Sequence, residues 1–454
     1  MGDMENQNIT GWDDRLTSVV PSRRQLAHQE MEFYAFFHYT INTYTGREWG
    51  DGTESPSLFA PSRLDPGQWV RAVKAAGIKG AILTCKHHDG FCLWPSKYTS
   101  HTVAASHYKN GRGDVVAEVA AACREEGIKF GIYLSPWDRN QPCYGQGKAY
   151  DDYFVNQLTE LLTGYGDIFC VWLDGACGEG KTGKVQRYDW ARYYETIRRL
   201  QPEACISVTG PDVRWCGNEA AQTREEEWSV VPARLFDPQK IQENSQQEDN
   251  AAFRKKRITS SDEDLGSRKA LAGEENLIWY PAEVDVSIRP GWFYHPEEDC
   301  QVRPPEELLE IYDRSVGGNG LLLLNIPPTP EGLVHHRDEE VLRELGKQIK
   351  ARQAKKLSES GLLKTGVRDG AYFARIEWQE PQKISFLVLQ EDICWSQRVE
   401  EYVITDGETG TVFYEGRVIG YKKHISLPKV SVKSLQLTVF KSRGEVKLKA
   451  MECY

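Results

Sequence analysis

Residues Asp167 to Gly180 read DIFCVWLDGACGEG, and this stretch decides how the rest of the chain is interpreted. Its first half, Ile168 to Leu173, is a short run of β-branched, aromatic and other apolar residues, which predicts a strand buried on both faces. Asp174 follows where the run ends, and Gly175 begins a loop rich in glycine. The sequence therefore places a carboxylate at the carboxyl end of a buried strand, where barrel enzymes hold their catalytic groups.

Short apolar runs alternate with amphipathic patterns of helical period on both sides of this stretch. The predicted strands are 32–39, 79–85, 129–134, 168–173, 205–208, 277–281 and 320–325. The predicted helices are 65–77, 114–127, 153–165, 188–200, 304–316 and 337–353. Repeated βα units predict either a (β/α)8-like barrel or a doubly wound sheet. No GxGxxG or Walker loop follows the first strand, which favours the barrel, although its sixth and seventh strands are not clear from the pattern.

The sequence pattern changes in two later regions. Residues 240–276 are dense in charge and carry few large apolar side chains, which predicts a surface excursion. After residue 353, short strands of alternating polarity are separated by turn residues such as Asp406-Gly407, which predicts a C-terminal antiparallel β-sandwich. We therefore expect a catalytic barrel over 1–354 and a β-sandwich domain over 355–454.

The amino-acid composition argues against several classes of binding partner. The net charge of −10 argues against binding to nucleic acid or to an anionic membrane, and no apolar run approaches the length of a membrane span. The N-terminus lacks the pattern of a signal peptide, and the eleven cysteines form no CxxC pair, which indicates reduced thiols. We expect a cytoplasmic protein with no membrane or nucleic-acid partner. The oligomeric state cannot be predicted from this sequence.

Polar side chains occupy the predicted carboxyl ends of successive strands. They are His38, His87, His88, Tyr133, Asp174, Arg214, Glu219, Glu283 and Asp285. Because these ends meet at one mouth of a barrel, we expect the side chains to converge there. Adjacent histidines on an extended backbone would point in opposite directions, and HxH or HxxxH spacing is absent. Hydrogen bonding to substrate hydroxyls is therefore favoured over metal ligation, and neither a metal nor another cofactor is expected.

Paired carboxylates without an activated serine or cysteine point to glycoside hydrolysis. Asp174 is the predicted nucleophile. Glu219, in the loop GPDVRWCGNEAA, is the predicted acid, and Glu283, in WYPAEVDVSIRPGWFYH, is the competing acid. The alternative for Glu219 is a solvent-exposed carboxylate in a loop, with no catalytic role.

Several long stretches resemble glycoside hydrolase family 29, the α-L-fucosidases. They read FFHYTINTYTGREWGDG, KHHDGFCLWPSKYT, GIYLSPWD, VWLDGACGEG, GPDVRWCGNEAA, PAEVDVSIRPGWFYH and LLLNIPP, and they run through the whole predicted barrel. The resemblance implies a (β/α)8-like barrel followed by a β-sandwich. It also implies retaining hydrolysis through a covalent fucosyl-enzyme intermediate.

The resemblance also implies roles for individual residues. Asp174 becomes the nucleophile, which we expect to stay ionised near Arg214 and the imidazoles. The side chains placed around the fucose are His38, Glu48, Trp49, His87, His88, Tyr133, Trp172, Arg214 and Trp292. The motif GPDVRWCGNEAA is similar to the branch specific for α-1,3/1,4 linkages, which assigns the acid/base role to Glu219 and implies a fucosylated, Lewis-type oligosaccharide as substrate.

Three alternatives remain open at the level of sequence. One is a related exo-glycosidase on the same scaffold, such as a β-D-galactosidase, because a fold alone does not determine the sugar. Another is a non-catalytic glycan-binding protein. The third is a metallohydrolase that uses His87, His88 and Asp174.

Overall fold

The structure is a computed structural model that describes residues 11–218, 221, 223–244 and 264–454. The first ten strands in chain order are β1 (Phe33–Phe37), β2 (Gly80–Lys86), β3 (Lys129–Leu134), β4 (Cys170–Leu173), β5 (Cys205–Val208), β6 (Arg214–Trp215), β7 (Val230–Pro232), β8 (Leu277–Trp279), β9 (Ala282–Ser287) and β10 (Leu321–Asn325). Eight of them form one parallel sheet in the order β5-β4-β3-β2-β1-β10-β9-β6. The backbone N–H of Val208 donates to the carbonyl of Val213 at 3.0 Å, which nearly closes the sheet into a barrel.

The six predicted helices are present, together with further short helices that were not predicted. In chain order they are α1 (Arg23–Gln29), α2 (Asn42–Thr45), α3 (Pro66–Ala75), α4 (Val115–Glu126), α5 (Lys148–Gly164), α6 (Trp190–Leu200), α7 (Pro238–Asn244), α8 (Arg268–Leu271), α9 (Pro305–Ser315) and α10 (His336–Arg352). Helix α4 illustrates why these segments are helical. The Asp114 side chain caps its first turn by accepting from the N–H of Ala117, and Gly127 ends it at φ +70°. Within the described residues, none of these helices is long and apolar enough to cross a membrane.

Alternation along each barrel strand separates two apolar cores. One core fills the barrel and includes Tyr34, Phe36, Tyr133 and Trp172. The other lies between the barrel and the helices and takes the intervening residues, such as Ala35 on β1. Successive side chains on a strand point to opposite faces. A shift of one position along the strand therefore moves a side chain from the barrel interior to the layer under the helices.

The barrel strand next to β10 is not the one that the sequence predicts. The strand predicted at 277–281 exists as β8, but it pairs antiparallel with β7 and does not belong to the barrel sheet. The barrel strand is β9, in which Glu283 pairs with Leu321 and Asp285 pairs with Leu323 of β10. Glu283 and Asp285 therefore lie within a strand and on its inner face, and not after it. The alternation AEVDVS carries this signal, but buried carboxylates violate the apolar pattern expected of a barrel strand.

The C-terminal region is an antiparallel sheet in two layers around its own core. Its strands are β11 (Leu362–Arg368), β12 (Ala371–Glu391), β13 (Val399–Asp406), β14 (Val412–Gly416), β15 (Lys423–Ser442) and β16 (Leu448–Cys453). Strand β12 is longer than the short strands predicted for this region, and it changes register between Glu377 and Gln382. The predicted fold class, a (β/α)8-like barrel followed by a C-terminal antiparallel sandwich, is confirmed.

Buried polar contacts join the barrel to this region. Glu32, which precedes β1, accepts from the Tyr421 hydroxyl at 2.9 Å and pairs with the Lys422 ammonium at 2.5 Å. Helix α10 ends at Arg352 and β11 begins at Leu362, so the boundary predicted at 354/355 falls in the connecting segment. Of the predicted surface excursion, residues 245–263 lie outside the described residues.

Candidate active site

Asp174 directly follows the last residue of β4 and lies at the carboxyl end of the barrel. The Tyr133 hydroxyl donates to its Oδ2 at 2.9 Å, and the backbone N–H of Ala176 donates to its Oδ1 at 2.8 Å. His88 Nε2 is 3.7 Å from the same Oδ2. The side chain is 22% exposed, although almost everything around it is buried. The carboxylate is thus fixed by hydrogen-bond donors and still open to a molecule entering the mouth.

His87 and His88 lie in a turn after β2 and not on extended backbone. The N–H of Gly90 donates to the carbonyl of His87 at 3.0 Å, and Gly90 has φ +82°. The two imidazole rings are 4.1 Å apart, so the prediction that they point in opposite directions is wrong. Because the turn breaks the alternation of a strand, both rings reach the same side of the mouth.

Burial keeps the imidazoles of the mouth neutral. It lowers the pKa of His38 to about 4 and that of His88 to about 3, and it lowers the pKa of His87 well below its ordinary value. His88 Nδ1 lies 2.7 Å from the Ser135 hydroxyl. A neutral imidazole offers one donor and one acceptor, which suits hydrogen bonding to a sugar hydroxyl. These side chains therefore supply hydrogen bonds to the mouth, and Tyr133 and Ala176 supply the donors that stabilise Asp174.

A second wall of the mouth comes from loops after β1, β9 and β10. The Trp292 ring lies 5.3 Å from that of His38. Glu48 accepts from the backbone N–H of Trp292 at 2.9 Å and contacts His295 Nε2 at 2.7 Å. Asn325 Oδ1 accepts from His38 Nδ1 at 2.8 Å, while its Nδ2 donates to the Trp292 carbonyl at 2.8 Å. These contacts fix the aromatic face of Trp292 beside His38.

Sequence reasoning missed three residues of these walls. Asn325 is the polar residue that ends the run LLLLN, so the rule that selected His38 would also have selected it. Trp137 packs against Trp49 at 5.4 Å, and its indole contributes with Trp49 to the wall beside His88. His295 has no comparable signal, because its pairing with Glu48 spans 247 residues of sequence.

Arg214 lies in a buried ion pair on the outer face of β6. Its guanidinium pairs with Glu227 and donates to the carbonyl of Tyr280 at 3.0 Å. Register pairs Arg214 with Ala282 and the next residue, Trp215, with Glu283, so the two side chains of β6 point to opposite faces. Glu227 is only 1% exposed and was not predicted. The expected charge pairing between Arg214 and Asp174 is replaced by pairing with Glu227, and contact of Arg214 with substrate stays a prediction.

Two buried carboxyl groups of β9 each accept a hydrogen bond from a tryptophan indole. Glu283 Oε1 accepts from Trp172 Nε1 at 2.8 Å, and Asp285 Oδ1 accepts from Trp215 Nε1 at 2.7 Å. Desolvation raises the pKa of Glu283 to about 7. Desolvation and then the nearby charge of Glu283 also raise the pKa of Asp285. Trp172 in turn stacks on Tyr133, with ring centroids 5.2 Å apart.

Glu219, the predicted acid, lies outside the described residues. The residue before it, Asn218, is fully buried, and Trp215 lies only four residues upstream. The described segment 216–218, which precedes Glu219 in the sequence, leaves the barrel directly from β6. Among the described residues no cluster of three or more His, Cys, Asp or Glu side chains could hold a metal ion.

Comparison with known proteins identifies the family. The family model for α-L-fucosidases matches residues 21–353. The chain belongs to the α-L-fucosidase family. It is 38% identical to α-L-fucosidase 1 of Arabidopsis thaliana, over 94% of this chain and 85% of that protein. The enzyme is thus a glycoside hydrolase with α-L-fucosidase activity.

Solved structures agree with this assignment. A protein from Bacteroides ovatus superposes on this fucosidase with a TM-score of 0.88 and 45% identity, over 98% of this chain and 76% of that one. A glycoside hydrolase family 29 fucosidase from Ruminococcus gnavus, solved in complex with fucose, gives a TM-score of 0.81 and 29% identity over 96% of this chain and 95% of that one.

The Tyr133 hydroxyl allows a direct test of the fucosidase site. Replacing Tyr133 by Phe removes the donor to Asp174 and keeps the ring that stacks on Trp172. A hydrogen bond to a charged group contributes about 1.5–3 kcal/mol, so we expect kcat to fall about 10- to 100-fold with little change in Tm. Steady-state kinetics and thermal unfolding measure both. Tyr144→Phe, whose hydroxyl bonds to Tyr188, is the matched control. An unchanged kcat in Tyr133→Phe would contradict the role of this bond.

Glu283 also predicts how the stability of the fucosidase depends on pH. Its folded-state pKa of about 7 exceeds its ordinary value of 4.5, so its contribution to stability is complete below pH 4.5 and is lost as the pH rises to 7. Glutamine does not titrate. Between pH 4.5 and 7.5 the unfolding free energy of Glu283→Gln should therefore rise by about 3 kcal/mol relative to the parent. Urea unfolding at several pH values measures this, with the exposed Glu203→Gln as control. Parallel curves for Glu283→Gln and the parent would contradict it.

Proposed function

We propose that this α-L-fucosidase removes α-1,3/1,4-linked fucose from Lewis-type glycans with retention of configuration. The observation that carries the proposal is the Asp174 carboxylate, which lies at the barrel mouth between two hydrogen-bond donors and beside neutral imidazoles. The linkage preference rests on the motif GPDVRWCGNEAA, which resembles the α-1,3/1,4-specific branch.

The proposed reaction proceeds in two displacements. In the first, an Asp174 carboxylate oxygen attacks C1 of fucose, the bond from C1 to the glycosidic oxygen breaks, and Glu219 gives its proton to that oxygen. In the second, Glu219 takes a proton from water, the water oxygen attacks C1, and the ester bond to Asp174 breaks. Two inversions at C1 give net retention. The exposed edge of the Asp174 carboxylate suits direct attack.

The fucose itself is proposed to lie between the two walls of the mouth. Its hydroxyls would bond to neutral imidazoles and to Glu48, and its apolar face would lie against Trp292. The proposed contact residues are His38, Glu48, Trp49, His87, His88, Tyr133, Trp172 and Trp292. The position of Trp292 beside His38 supports this arrangement, because it places an aromatic ring next to several hydrogen-bonding groups.

Fucose release followed by NMR tests both the linkage and the stereochemistry. The enzyme is given a Lewis-type trisaccharide, 2′-fucosyllactose and an aryl fucoside in parallel. We expect rapid release from the Lewis glycan alone, with α-fucose appearing before mutarotation produces the β anomer. Equal cleavage of all three would reject the linkage preference. Initial appearance of β-fucose would reject retention. Full activity after treatment with a chelator would exclude the metallohydrolase alternative.

A further inference from the structure

We infer that Glu283 is a positioning residue that orients the nucleophile through Trp172 and Tyr133, and that it is not the acid/base. This inference rests on the proposed role of Asp174. Four side chains form a continuous path that starts at Glu283 on β9, passes through Trp172 on β4 and Tyr133 on β3, and ends at Asp174, which follows β4. Glu283 Oε1 accepts from Trp172 Nε1 at 2.8 Å, Trp172 stacks on Tyr133 at 5.2 Å with 23° between the rings, and the Tyr133 hydroxyl donates to Asp174 at 2.9 Å.

The surroundings of Glu283 prevent direct contact with substrate. Its side chain is completely buried, and register places it below Asp285, further from the carboxyl end of β9. Each carboxyl oxygen already has a partner, Trp172 for Oε1 and the Tyr34 hydroxyl for Oε2. A general acid must come within about 3 Å of the oxygen that it protonates. Glu283 can meet that requirement only if Trp172 or Tyr34 moves away.

Both oxygens of the Glu283 carboxyl are hydrogen-bonded. Trp172 Nε1 donates to Oε1, the Tyr34 hydroxyl donates to Oε2, and His28 Nε2 lies 3.1 Å from the Tyr34 oxygen. Burial lowers the pKa of His28 to about 4, so the ring is neutral at neutral pH. Glutamine keeps an oxygen that accepts from Trp172 and has an amide that can donate to the Tyr34 oxygen. Leucine has a similar size but offers neither group.

The two roles predict different behaviour for Glu283→Gln and Glu283→Leu. Loss of an acid spares substrates whose leaving group needs no proton, whereas loss of positioning affects all substrates alike, since the nucleophile itself is misplaced. Displacing a reacting group by about 1 Å can cost about 100-fold. We therefore expect Glu283→Leu to lower kcat about 10- to 100-fold on both a Lewis trisaccharide and α-L-fucosyl fluoride, with little change in KM. We expect Glu283→Gln to restore most of that activity.

The experiment measures kcat and KM of the full-length parent and both variants on these two substrates, with and without azide. Circular dichroism and Tm determine the folded fraction, and rates are expressed per folded enzyme. Equal losses on both substrates in Glu283→Leu, no rescue by azide and recovery in Glu283→Gln would support positioning. Loss on the trisaccharide alone in Glu283→Gln, with azide rescue, would make Glu283 the acid/base and overturn the inference. Parental kcat in folded Glu283→Leu would also overturn it. Failure of the proposed function is distinguishable. Without the linkage preference the parent would still hydrolyse α-L-fucosyl fluoride, and with a nucleophile other than Asp174 the Asp174→Gly variant would stay active.

Discussion

Asp174→Gly should lose on the order of 10⁴-fold or more in kcat on every fucoside, since removal of a nucleophile abolishes the covalent route. Added azide should restore turnover by entering the space that the carboxylate leaves. Because azide then makes a single displacement from the nucleophile side, the product should be β-L-fucosyl azide. Steady-state rates and product NMR measure these effects.

The matched control for this variant is Asp167→Gly. Asp167 is exposed and lies before the same barrel strand, at the end opposite to Asp174. This control should keep the parental kcat. Retained activity in Asp174→Gly, or formation of the α azide from it, would contradict the assignment of Asp174 as nucleophile.

Glu219→Gln should lower kcat/KM on Lewis trisaccharides by about 10²- to 10⁴-fold, the range typical for loss of a general acid or base. Hydrolysis of α-L-fucosyl fluoride should be affected less in its first step, because fluoride departs without a proton. Azide should accelerate breakdown of the intermediate and give α-L-fucosyl azide, the anomer opposite to that from Asp174→Gly. The two variants therefore identify the two carboxylates by the stereochemistry of their products.

Glu225→Gln is the matched control for Glu219, because Glu225 is exposed and lies in the same segment after β6. Its kinetics should equal those of the parent. Full activity of Glu219→Gln on Lewis trisaccharides would remove the acid/base role from Glu219. Glu283 would then be the first carboxyl to reconsider, and its burial against Trp172 and Tyr34 would require a rearranged state.

The residues after regular strands could be predicted from the sequence, because a buried parallel strand is a recognisable apolar run and its carboxyl end is known. This rule selected His38, His88 and Asp174, and the structure brings all three to the mouth. It depends only on local sequence. The rule therefore worked wherever the strand itself was clear.

The interior of the barrel could not be predicted in the same way. Glu283 and Asp285 were expected after a strand because two carboxylates interrupt the apolar pattern, yet both are inside β9. The contact between Tyr34 and Glu283 spans 249 residues, and no local spacing encodes it. Strand β6 has only two residues, too few for any periodic pattern, so the outward direction of Arg214 was also hidden.

Few hydrogen bonds join β5 to β6, so the barrel sheet is weakest between these two strands. Most neighbouring barrel strands share several rungs, whereas β5 meets the start of β6 through one isolated bridge, Ser207 to Val213, and two backbone bonds, from Val208 to Val213 and from Asp212 to Ile206. Local opening requires fewer broken hydrogen bonds there than between β1 and β10, so amide protons at this junction should exchange with solvent sooner. The loop that leads to Glu219 begins beside this junction. Local opening of the barrel sheet is thereby concentrated beside the described segment 216–218, which follows β6.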